Sequence, residues 1–285
     1  MAITTKEFAP RYCLNTSTIR GQKLTIEQEI ELAAMAGYDG IEPWINEIND
    51  YVKRGGKLAE LKQRIADLGL TVESAIGFAQ WIVDDEAKRK KALDDARRDM
   101  ELVKAIGGTR IAAPPAGATD RTEMNLFTIA ERYRALLEVG ADVGVTPQLE
   151  VWGFSKTLSR LGETALAAIE AGHPDACILP DFYHIYKGGS SLTGLQLISP
   201  SRIHCFHMND YPADPPREKI GDKDRVYPGD GVSPLGPAIR HLAEGGWQGA
   251  FSLELFNRDY WKQDATHVAQ TGLEKMKAAV AKAVG

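Results

Sequence analysis

Cysteine is scarce in this chain: Cys13, Cys177 and Cys205 are the three among 285 residues. So few, so far apart, exclude a disulfide framework and a CxxC zinc site, and they point to a reducing compartment. No run of roughly 18 apolar residues occurs, as a membrane span requires, and the opening MAITTKEFAPRY has no apolar signal stretch. A cytoplasmic location is the expectation. Basic residues number 34 against 39 acidic ones, a net charge of −5. The densest Lys/Arg stretch, EAKRKKALDDARRDMELVKAIGG, interleaves both signs as a solvated helix face does. Neither nucleic acid nor a membrane surface is therefore an expected partner. A GxxxxGK[ST] phosphate loop is absent, GGSS being at most a weak anion loop. Histidine is missing from the first half, since the first of the six is His173.

What the chain does have is alternation. Eight short β-branched or aromatic runs recur: RYCLNTST from Arg11, YDGIEPW from Tyr38, LTVESAIGF from Leu70, TRIAAPP from Thr109, TPQLEVW from Thr146, ACILPDF from Ala176, RIHCFHM from Arg202 and GAFSLELF from Gly249. Helical patterns separate them: TIEQEIELAAMAG, KLAELKQRIADLG, residues 88–106, NLFTIAERYRALLEVGADVG, LSRLGETALAAIEAG, a shorter SLTGLQLI, SPLGPAIRHLAEGG and a terminal DATHVAQTGLEKMKAAVAKAV. Several end in Gly, as helix C-caps do. Eight β-then-α units predict an α/β fold, a single (β/α)8 TIM barrel spanning 1–285, with an open doubly wound sheet as the lesser alternative. The stretch NDYPADPPREKIGDKDRVYPGDG is too rich in Pro, Gly and charge to be an element. It is expected to overhang the C-terminal face of the barrel, where long loops carry function.

Four of the runs close on a metal-binding residue type: Glu150 in QLEVW, Asp181 in ILPDFYH, His207 in IHCFHMND and Glu254 in FSLELF. Ionised side chains are rarely buried at strand ends unless paired or bound to a cation. One such acid alone is well explained as a cap or ion-pair partner. Four in succession on strands five to eight converge on one barrel mouth. Three carboxylates and one imidazole make a hard ligand set, so a single divalent ion is expected, manganese foremost, with zinc, magnesium or cobalt as alternatives. Such an ion bridging a ketone oxygen and a neighbouring hydroxyl acidifies the intervening C–H. If Glu150 and Glu254 flank the substrate, one takes a proton and the other returns one. Return to the opposite face epimerises, return to the adjacent carbon isomerises, and loss of a β-hydroxyl dehydrates.

The motifs LEVW, DFYHIYKGGSSL, FHMND, DRVYPGDG and LELF, with the early GYDGIEPW, resemble the xylose isomerase-like TIM-barrel superfamily over nearly the whole chain. The likeness is to its sugar phosphate isomerase/epimerase branch, with inosose isomerases, inosose dehydratases and ketose 3-epimerases. The resemblance implies that Glu150, Asp181, His207 and Glu254 hold the metal, with Glu150 and Glu254 catalytic. It also implies that His184 and Arg225 contact substrate and that Glu42 stands at the mouth as a further substrate-binding residue. A carbohydrate isomerase or epimerase working through a metal-stabilised enediolate is the leading expectation, and a dehydratase acting on an inosose or 3-oxo-sugar the alternative. Trp152, with Trp44 and Phe256, neighbours the mouth residues and is placed to stack on a sugar ring; Asn15 is a further candidate. His204, three residues before His207, is read as packing outward, and Lys187 as a surface lysine. Endonuclease four-type barrels need further histidines on earlier strands, and VESAIGF and IAAPP hold none. A noncatalytic sugar-binding module would not need both glutamates. A homodimer through outer helices or mouth loops is compatible with the composition.

Overall fold

The computed structural model describes residues 8–285; residues 1–7, part of the N-terminal stretch read above for a signal, lie outside the described residues. The strands are β1 Arg11–Asn15, β2 Gly40–Glu42, β3 Thr71–Val72, β4 Arg110–Ala113, β5 Thr146–Glu150, β6 Ile178–Leu179, β7 Cys205–Met208 and β8 Ala250–Leu253. Among the described residues every strand pairing is parallel, in the runs β3-β2-β1-β8-β7 and β4-β5-β6. Parallel bridges Ile178↔Ile203 and Asp181↔His207 join β6 to β7. The Ala112 amide, donating to the Ala75 carbonyl at 2.8 Å, joins the segment after β3 to β4. The sheet therefore closes into the expected barrel, and strand ends five to eight lie side by side.

Nine helices among the described residues surround it: α1 Ile26–Ala36, α2 Ile45–Lys53, α3 Leu58–Asp67, α4 Glu86–Ala105, α5 Leu126–Val143, α6 Leu161–Glu170, α7 Phe182–Lys187, α8 Leu235–Glu244 and α9 Ala265–Val284. Gly37 (φ 91°) and Gly144 (φ 85°) end α1 and α5 in the left-handed conformation that other residues resist. Two departures from the sequence pattern bear on the site. INEINDYVK forms α2, an unexpected helix. SLTGLQLI forms only a 3-10 turn, Leu192–Leu197, the short α7 having already taken the position after β6. No helix among the described residues is long and apolar enough to cross a membrane.

Side-chain alternation sorts the strands into two environments. On β7 and β8 the alternate residues Phe206, Met208, Phe251 and Leu253 belong to the main core under the helices, where each such burial contributes about 1.5–3 kcal/mol. The other set faces the barrel axis. There a small apolar plug, Ile76, Ala112, Leu179 and Cys205, gives way to polar side chains that bond one another: Gln148 Nε2 donates to Ser74 Oγ at 3.0 Å and Ser252 Oγ to Glu42 at 2.7 Å. A barrel axis built from hydrogen-bonded polar groups above a thin plug is a platform for a charged centre, since each buried polar atom must find a partner.

Candidate active site

His207 organises the centre. Its Nε2 lies 3.1 and 3.3 Å from the two carboxylate oxygens of Glu42, an acceptor pair that fixes the proton on Nε2. Its Nδ1, on the opposite side of the ring, is buried and has no hydrogen-bond partner among the described residues. Around that nitrogen stand Glu254 at 3.3 Å, Glu150 at 3.7 Å and Asp181 at 3.8 Å. Asp181, His207 and Glu254 present ligand atoms within 4.8 Å of one another, and Glu150 closes the fourth side. Three carboxylates around Nδ1 call for positive charge there, which a second ring proton supplies and which a cation bound by the Nδ1 lone pair would replace; the donor set fits a divalent ion.

Neighbours hold Asp181 and Glu254 in place. Asp181 caps α7, accepting from the His184 amide at 2.8 Å through one oxygen and from Asn209 at 3.0 Å through the other. Arg225, expected as a loop arginine in reach of substrate, is among the most buried side chains. Its Nη1 donates to Asp181 at 3.0 Å and to Glu254 at 2.8 Å, and its Nη2 lies 3.0 Å from His184 Nε2 and also bonds Asp222. A guanidinium can only donate, so His184 Nε2 accepts and its proton sits on Nδ1, a buried atom unpartnered among the described residues. His184 thus offers one free N–H.

The electrostatics follow from burial and company. Burial pushes the Glu150 carboxyl well up, with Glu254 and Asp181 adding to it against His207. Burial also raises Glu254, opposed by His207 and Arg225. Asp181 and Glu42 go the other way: burial is overcome at Asp181 by Arg225 and His184, and at Glu42 by His207 and its hydrogen bonds. Burial would lower His207, but Glu254 and Glu42 raise it well above its ordinary value. His184 is held down to about 4, chiefly by burial, and is neutral. This surplus of negative field is what a divalent cation discharges.

Glu42 is not at the mouth. It is fully buried, with both oxygens engaged by His207, Asn15 (2.8 Å) and Ser252, so it acts on His207 from below instead of meeting substrate. Beyond β2 the chain still pairs with the segment after β3, through the parallel bridge Trp44↔Ile76, before α2 begins. Lys187 is not a free surface lysine, since its ammonium donates to three loop carbonyls. His204 is set among Arg110, Arg202 and Asp175, at the N-terminal end of its strand and far from the ligands.

Above the ligands the aromatic residues form a closed collar. Trp44 and Phe78 lie 5.1 Å apart, Phe78 and Trp152 6.1 Å, Trp152 and Phe154 4.9 Å, and Phe154 and His184 5.7 Å. Arg225 links His184 to Phe256 (5.0 Å), and Phe256 returns to Trp44 at 6.2 Å. Phe78 and Phe154 were not singled out in the sequence, although each sits one or two residues past a strand-end motif, in IGF and VWGF. They are 42% and 46% exposed, so their rings are open to a ligand. Asn15 receives Trp44 Nε1 at 3.0 Å and reaches Glu254 at 3.4 Å, coupling collar to ligands.

The profile of the xylose isomerase-like TIM barrel family matches residues 30–279. The chain belongs to that family. Among its relatives, an inosose isomerase of Bacillus velezensis is 26% identical over 277 residues, covering 95% of this chain and 98% of the relative. A 3-dehydroshikimate dehydratase of Pseudomonas putida is 21% identical over 253 residues, 88% of this chain and 39% of that protein. Among solved structures, the IOLI protein, crystallised with a zinc atom bound, superposes with a TM-score of 0.87 at 22% identity, covering 95% of this chain and 98% of that one.

Proposed function

We propose that this chain is a divalent-metal-dependent isomerase or epimerase of a small polyhydroxylated ketone, with inososes and ketoses as the substrate class. The observation that carries the reading is His207, its Nε2 fixed by Glu42 and its Nδ1 without a hydrogen-bond partner among the described residues and ringed by three carboxylates. That the chain is an enzyme of the isomerase and epimerase kind rests on the relatives, inosose isomerases foremost. The zinc atom of the IOLI structure and the hardness of this donor set support a divalent ion, with manganese and zinc the first to test.

Glu150, Asp181, His207 and Glu254 would hold the ion, whose Lewis acidity makes loss of a proton beside the substrate carbonyl accessible. The residues supply the rest. β5 and β8, with β6 and β7 between them, carry Glu150 and Glu254 to either side of Asp181 and His207. One carboxylate removes the proton and the other delivers one to the opposite face or to the adjacent carbon. His184 Nδ1–H donates to a substrate oxygen, and the positive charge of Arg225 favours the enediolate. The collar packs on the apolar C–H face of the sugar ring and excludes water from the proton transfers.

The test is solvent-deuterium uptake into inososes and ketoses by the metal-loaded protein, with Glu150→Gln and Glu254→Gln alongside. The reading expects uptake by the wild type and a fall on the order of 100-fold or more in either variant; no uptake into any of them overturns it. The dehydratase relative carries a second reading, elimination from the same enediolate, which product mass separates: water is lost in place of label retained.

A further inference from the structure

The loop that delivers Arg225 is pinned at two places by opposite charges that the proposed reaction does not use. Asp210, the last residue of FHMND, is buried. One of its carboxylate oxygens accepts from the amides of Tyr211 (2.7 Å) and Ser233 (2.9 Å), the other from those of Gly229 (2.9 Å) and Gly231 (3.1 Å). Its backbone exchanges both hydrogen bonds with Val226, at 3.0 and 2.9 Å, the residue beside Arg225. A Cβ on Gly231 would collide with that same carboxylate. In the first half of the loop, Lys187 Nζ at the end of α7 donates to the carbonyls of Arg217 (2.9 Å), Glu218 (3.2 Å) and Ile220 (2.8 Å).

We infer that Asp210 and Lys187 are positioning residues that act through Arg225, making this Pro- and Gly-rich loop a fixed wall of the mouth. One anion gathers four donors and one cation feeds three acceptors, and charge-assisted bonds of this kind are about twice as strong as neutral ones. With the loop seated, the Arg225 guanidinium reaches Asp181, Glu254 and His184 without paying for loop ordering when substrate arrives. This inference rests on the proposed function for its catalytic consequence, though not for its geometry. Asp210→Asn retains one acceptor oxygen and turns an N–H2 toward backbone donors. Lys187→Met keeps the stem and removes the charge.

The experiment uses the full chain and a dicarbonyl reagent, phenylglyoxal, with the modified arginines identified by mass spectrometry. Buried Arg225 should resist labelling in the wild type. In each variant its labelling should rise about tenfold or more, the equivalent of the bonds lost, while amide exchange in the barrel strands stays as in the wild type. On a substrate found by deuterium uptake, kcat/KM should fall on the order of tenfold to a hundredfold in an otherwise wild-type chain, and by less than about threefold when added to Arg225→Met, since coupled sites are not additive. Arg225 as protected in both variants as in the wild type, or a loss that adds in full to Arg225→Met, overturns the inference. Should Asp210→Asn fail to fold, Lys187→Met decides. Should no substrate be turned over, the function reading fails, and the labelling still decides the seat of Arg225.

Discussion

Glu42 and His207 meet at 3.1 Å in the fully buried floor of the barrel, and this contact sets which imidazole nitrogen faces the three carboxylates above. On the proposed reading Glu42 tunes the centre from behind His207, as outer carboxylates do behind metal-bound histidines. Glu42→Gln should weaken Mn2+ or Zn2+ binding by about 10- to 100-fold, measured by calorimetric titration of the metal-free protein. Unchanged affinity would show that His207 is oriented by something else.

Phe78 and Phe154 complete the aromatic collar yet are substantially exposed, so binding and stability should separate there. Either residue changed to Ala should raise KM by about threefold to tenfold, the equivalent of about 0.5–1.5 kcal/mol of ring contact, with kcat nearly unchanged. The melting temperature should barely move, since exposed substitutions stay within about 0.5 kcal/mol. Steady-state kinetics and thermal melts check both halves.

Trp152 and Phe154 flank Gly153, whose absent side chain lets the loop after β5 lie on α7. A Cβ there would fall on the His184 carbonyl and the Gly188 amide. Gly153→Ala should destabilise the chain by about 1–3 kcal/mol, as overpacking does, and should raise KM as well, because it shifts two collar rings and His184 together. Denaturant melts with parallel kinetics would show whether both effects appear.

Away from the centre, Glu29 of α1 is buried, and its Oε2 has no hydrogen-bond partner among the described residues. Burial, with Glu47 nearby, pushes its carboxyl from an ordinary 4.5 up to about 9. Between those values the folded chain keeps a proton that the unfolded chain has released, so this group's contribution to stability falls as pH rises through the window. Glu29→Gln removes that dependence. It should stabilise the protein at pH 8 by about 1–3 kcal/mol and change it little near pH 5, as read from melts at both. An equal gain at both pH values would place the cause outside this ionisation.

The barrel and the convergence of four strand-end side chains were legible because both are written in short local patterns. Glu150, Asp181, His207 and Glu254 each close an apolar run, and parallel strands in a barrel bring such ends together. What was not legible depended on depth and on partners distant in sequence. α2 has a buried stripe of Ile45, Ile48 and Tyr51, but its N-cap is Trp44. The Trp44 amide is satisfied by Glu47 at 2.8 Å and the Ile45 amide by the Ile76 carbonyl at 3.0 Å, so no Ser, Thr, Asp or Asn marks the start. Glu42 looked like a mouth residue because nothing local reports that its oxygens are taken by His207, Asn15 and Ser252. Lys187 looked like a surface lysine, and Asp210 drew no notice, because the carbonyls and amides they gather come from residues 211–233, whose path only the folded chain defines.

The central claim is one divalent ion held by Glu150, Asp181, His207 and Glu254. Elemental mass spectrometry of the protein purified without chelator, beside His207→Ala and Glu254→Gln, tests it most directly. About one divalent ion per wild-type chain, largely lost from both variants, is the predicted result. A wild type that holds no metal even after soaking with Mn2+ and Zn2+, or variants that hold as much as the wild type, would contradict it.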